Sequence, residues 1–73
     1  MKYVYHIAVI DPSNNTLKFV TAVNNQTKVA KWEDDKPAKC FLKLAADAIL
    51  FGLICNGFNA VVVKCPAHYE LHN

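Results

Sequence analysis

An α+β fold with element order β-β-β-α-β is predicted, and three stretches carry the prediction. Tyr3 to Ile10 is dense in aromatic and β-branched residues, as expected of a strand inside a sheet. Pro37 to Gly57 is a long, mostly apolar stretch with helical spacing, and Ala60 to Cys65 is a run of valines stopped by Pro66. One long helix lying on one face of a sheet buries the apolar sides of both.

The remaining elements follow from turn chemistry. Asp11-Pro12-Ser13-Asn14-Asn15 reads as a turn, and Leu17 to Val23 returns as a second strand with Leu17, Phe19 and Val23 on one side. Asn24 to Thr27 turns again, and Lys28 to Glu33 makes a short third strand whose charges suit an edge. Three meandering strands and a helix return the last strand parallel to the first. The expected product is a four-stranded mixed sheet in the order 3-2-1-4. The chain has 73 residues, too few for two cores, so residues 1–73 read as one small domain with 66–73 as a polar tail.

Within the helix, positions i, i+3, i+4 and i+7 gather Phe41, Leu44, Ala45, Ala48, Ile49, Gly52 and Cys55 as the face toward the sheet, with Gly52 permitting close approach. The outer face begins with Lys39, Lys43 and Asp47 and turns apolar at Leu50 and Ile54, flanked by Phe51 and Leu53. Asp34 and Asp35 stand ready to cap the N-terminus ahead of Pro37, and Asn56-Gly57 to close the C-terminus with Phe58 folding back. A variant start leaves Ala38 to Phe41 extended and begins the helix near Leu42. The core expected from these patterns is Ile7, Val9, Phe19, Leu44, Ala45, Ala48, Ile49, Gly52, Val61 and Val63.

Composition narrows the function classes. Three cysteines leave one thiol over in any disulfide scheme, and the opening KYVYHIAVID lacks the cleavage pattern of a secretory signal, so a reducing, cytoplasmic setting is expected. The Cys40 to Cys55 run contains Lys43 and Asp47 and is too short to span a bilayer. A net charge of +2 with both signs interspersed permits nucleic acid as a partner and does not require it.

Four constellations carry candidate chemistry. Cys65, His68 and His72 have a C-x2-H-x3-H spacing that suits zinc, but a tetrahedral site needs a fourth ligand from His6, Cys40 or Cys55. Lys18, Lys28, Lys31 and Trp32, with Tyr3 or Tyr5, are the raw material of a weak nucleic-acid surface, which the total absence of arginine argues against. Catalysis has least support: Cys40 and Cys55 sit in the most apolar stretch, where a thiol is ordinarily inert packing. Leu50, Phe51, Leu53 and Ile54 exceed what one core needs and predict a protein-interaction or assembly module that forms a homodimer through its helix.

Overall fold

The structure, a computed structural model, describes residues 2–66. It is an α+β arrangement of β1 (Tyr3–Asp11), β2 (Thr16–Phe19), β3 (Ala22–Val23), β4 (Ala30–Lys31), α1 (Lys43–Cys55) and β5 (Ala60–Pro66). The expected four-stranded sheet in the order 3-2-1-4 is replaced by two sheets: an antiparallel three-stranded one, β2-β1-β5, and a separate antiparallel hairpin, β3-β4.

The division happens inside the predicted second strand, at Val20 and Thr21. The Val20 N–H still donates to the Ile7 carbonyl of β1 at 2.8 Å, while its own carbonyl accepts from the Lys39 N–H at 2.9 Å. One residue later the Thr21 N–H turns away and donates to the Lys31 carbonyl at 2.8 Å, which starts the small hairpin. The vacated edge of β1 is taken by Phe41, which exchanges two backbone hydrogen bonds with Tyr5, at 3.0 and 2.8 Å. Residues 38–41 therefore precede the helix as an extended segment, as in the variant start.

That segment explains why the last strand runs opposite to expectation. Phe41 pairs antiparallel to β1, α1 reverses the chain, and β5 descends on the other edge, also antiparallel to β1. The helix thus connects two mutually parallel segments with β1 between them, a split β-α-β unit. One uncounted extended segment adds one reversal of direction.

The face α1 buries also differs from the predicted one. Ala46 (0% exposed) and Leu53 (7%) lie two turns apart in the core with Ile49 and Leu50 half-buried between them, whereas Leu44 is 84% exposed and Ala45, Ala48 and Cys55 face outward. The helix is rotated by roughly a third of a turn. Its apolar residues run almost all round, so periodicity does not choose a face; the C-terminal cap does. Gly57 (φ 88) sends its N–H to the Ile54 carbonyl and Phe58 sends its N–H to the Leu53 carbonyl, both at 3.0 Å. This paired closure folds Phe58 back toward Leu53 and fixes Leu53 inward. At the other end Leu42 is an extended N-cap without a side-chain cap. Asp34 and Asp35 do not cap, because the helix begins at Lys43, well beyond them; Asp34 pairs with Lys18 instead.

Antiparallel partners share a sheet face, and this sorts the strands. Tyr5, Ile7 and Val9 with Val62 and Ala60 face the helix; His6, Ala8 and Ile10 with Leu17, Phe19, Val61 and Val63 form the opposite, open face. Ile7 and Val9 are fully buried, but Phe19 (40% exposed), Val61 (57%) and half-buried Val63 belong to the open face and not to the helix-side core. Val20 and Phe41 complete that core.

Two predictions follow from this packing. Leu53→Ala should cost about 2–5 kcal/mol of unfolding free energy, while Leu44→Ala should fall within about 0.5 kcal/mol of wild type. Denaturant melts of the two variants test the rotation, and a larger loss for Leu44→Ala than for Leu53→Ala would place the helix in the orientation read from periodicity. The second concerns the first turn, where the Asp11 carboxylate accepts from the Ser13 hydroxyl at 2.7 Å and its N–H at 2.9 Å, which holds its pKa below the ordinary carboxylate value. A depressed folded-state pKa adds stability above the unfolded value, and that stability is lost as pH falls through the folded value. NMR titration should show Ser13→Ala moving Asp11 back upward.

Candidate interaction surface

An exposed apolar surface arises here from three places, each positioned by the fold just described. The first is the outer side of α1, where Leu44, Phe51 and Ile54 are 84%, 71% and 53% exposed, with Leu42 at the cap 81% exposed. Of the residues expected to form an interface, Phe51 and Ile54 do project outward, Leu50 is half-buried, and Leu53 belongs to the core. The polar start of the outer face holds as an ion pair, Lys43 Nζ to Asp47 Oδ2 at 2.8 Å. That hydrogen bond, and then the carboxylate charge, raise the Lys43 pKa.

The second place is the open face of the sheet. Ile10, Leu17, Phe19, Val61 and Val63 surround Ala8, and His6 is the polar member, its Nδ1 3.0 Å from the Lys39 carbonyl and its ring edge-on to Phe19 at 6.0 Å. Sequence reasoning assigned Phe19, Val61 and Val63 to the core and so missed this face. The signal was present in β1, which is apolar at both odd and even positions and therefore needs cover on both sides.

The third is a cleft of about 430 Å³ between the hairpin and the helix, lined by Val29, Trp32, Ile49, Gly52, Leu53 and Phe58. Trp32 and Phe58 meet edge-to-face, 5.4 Å between centroids at 74°, and form its floor. Gly52 faces open space: a Cβ there would meet nothing within 4 Å, so it does not serve the close helix–sheet approach expected of it.

The other candidate groups are dispersed. Lys18 is tied to Asp34, Lys28 stands in a left-handed turn (φ 62), Lys31 lies on β4, and Trp32 is half-buried against Phe58. Tyr3 and Tyr5 already carry the Lys64 and Lys43 ammonium groups over their rings, at 4.2 and 6.0 Å. Of Cys65, His68 and His72 only Cys65, half-buried on β5, lies within the described residues, and His68 and His72 lie outside them. Among the described residues no group of three or more His, Cys, Asp or Glu could hold a metal ion, and no helix is long and apolar enough to cross a membrane. Compared with protein-family models, with curated proteins and with solved structures, the chain matches none.

Gly52 supplies a direct check on the cleft. Gly52→Ala restores helix propensity without a clash, so it should raise stability by about 0.5–1 kcal/mol. A loss in a thermal or denaturant melt would mean that the space beside Gly52 is filled.

Proposed function

We propose that this protein is a small assembly module of the cytoplasm, not an enzyme, which acts by associating with itself. The observation that carries the reading is the outer row of α1, where Leu44, Phe51 and Ile54 stay more than half exposed on the one helix among the described residues. Each such side chain left in water forgoes about 1.5–3 kcal/mol of burial, and a contiguous apolar surface of this kind ordinarily marks an interface. A partner subunit also adds to the modest stability that a small core supplies. The alternative, a weak nucleic-acid binder, has less behind it, since Lys18 is paired with Asp34 and the Trp32 ring is packed against Phe58.

Sedimentation equilibrium from about 1 µM to about 1 mM, the range in which an association of roughly −8 to −4 kcal/mol is half complete, should show a shift from one copy to two. A strict monomer throughout would sink the reading.

A further inference from the structure

We infer that the second copy docks edge to edge on β5, which joins the two three-stranded sheets into one of six strands; this rests on the self-association proposed above and names its surface. Along β1 successive residues turn their backbone groups to opposite edges. Tyr5 exchanges both its hydrogen bonds with Phe41, and the Ile7 carbonyl accepts from Val20, so the odd positions of β1 turn toward the β2 side. The even positions turn toward β5, and the Ile10 N–H accordingly donates to the Asn59 carbonyl at 2.9 Å. Their partners on β5 are Val61, Val63 and Cys65. It follows that Ala60, Val62 and Lys64 aim their N–H and carbonyl groups at the far edge, where no described strand pairs with them.

Such an edge is a template for another strand, and native sheets usually blunt it with charge, proline or a bulge. β5 carries one lysine and a terminal proline around an apolar centre, AVVVKCP. A two-fold axis at Val62 makes that strand its own best partner. Val62 then faces Val62 of the second copy, and each Ala60 faces Lys64, so about six backbone hydrogen bonds form in this register. On the open side Val61 meets Val63 of the second copy at the closer, non-hydrogen-bonded spacing, which favours β-branched pairs. The two lysines stay apart, and Pro66, with no N–H to give, falls outside the paired stretch. An axis at Lys64 would instead set like charges directly opposite one another.

The helix agrees with this placement. The cleft beside the hairpin takes the flank of α1 that bears Ile49 and Gly52, and the hairpin leaves the sheet on the β2 side. Leu50 and Ile54 lie on the other flank, toward β5, while Leu44 and Phe51 point away from the sheet and stay outside this contact. Edge pairing brings the corresponding flanks of two helices together above the joined strands. Two paired strands alone bury less than the roughly 800 Å² per partner of a standard interface, and the helix flanks supply apolar area toward it.

Amide hydrogen exchange, read residue by residue at protein concentrations below and above the sedimentation midpoint, tests the inference on the unaltered chain. Ala60, Val62 and Lys64 should slow by about tenfold or more at the higher concentration, while Val61 and Val63, already bonded to β1, should change less. Lys64→Pro, which removes one outward N–H at an exposed position, should weaken association and, at concentrations below the sedimentation midpoint, leave the melting curve near that of wild type. Association in sedimentation without slowing at Ala60, Val62 and Lys64 would overturn the edge while leaving self-association standing. Equal protection of the three amides at every concentration would also overturn it, since the edge would then be covered within one chain. Absence of association at any concentration would remove both readings.

Discussion

Everything else in the structure depends on the hydrogen-bonding obligations of β1. A buried strand must satisfy backbone groups on both edges, because an orphaned amide beneath a helix costs about as much as a lost hydrogen bond. β5 meets the whole requirement on one side, from Tyr3 to Val9. On the other side β2 covers only Ala8 to Asp11, Val20 serves Ile7, and Tyr5 is left until the chain returns at Phe41. The long excursion from Thr21 to Cys40 is compatible with the fold because it ends by filling that gap. The Lys39 N–H on the Val20 carbonyl and the Lys39 carbonyl beside His6 Nδ1 hold the returning segment against the point where β2 left.

Seen this way, the parts of the fold that were legible in the sequence are those decided locally. Tyr3 to Asp11 and Ala60 to Pro66 declare themselves by composition, and Asn56-Gly57 declares the helix end by its left-handed residue. The last strand also lies beside the first. What could not be read was decided by distant partners. Val20 looks like an ordinary member of a seven-residue strand until Lys31 and Lys39 compete for its neighbourhood, and Phe41 looks helical until Tyr5 offers two backbone groups. Direction along β5 then follows from Phe41, so one local ambiguity became a global difference in topology.

The helix presents a different limit. A periodic pattern specifies a face only when polar residues mark the other side, and after Asp47 α1 has none before Asn56. Leu44 and Leu53 are equivalent by composition, yet one is in water and the other in the core. The cap through Gly57 and Phe58 and the position of the first turn choose between them. Phe51 and Ile54, expected outward, are exposed although the helix is turned from the orientation read from periodicity, and Leu53 is drawn inward by a backbone constraint that side-chain periodicity does not encode.

The distribution of apolar residues links these points to function. Two of the buried hydrophobic residues are alanines, Ala8 and Ala46, so the described core holds little volume for a chain whose composition is 53% hydrophobic. The remainder is carried on the open sheet face and the outer helix, on both sides of a sheet whose outer β5 edge no described strand pairs. A sheet with cover on one face and one apolar edge tends to extend itself, whether productively or by aggregation, and the direction is set by which edge group is blunted. In β5 the blunting residues sit at one end, Lys64 and Pro66, and leave Ala60 to Val63 open. That asymmetry favours an arrangement that closes on itself after one partner, because an antiparallel second copy covers the open stretch on both chains at once and presents no further copy of that edge.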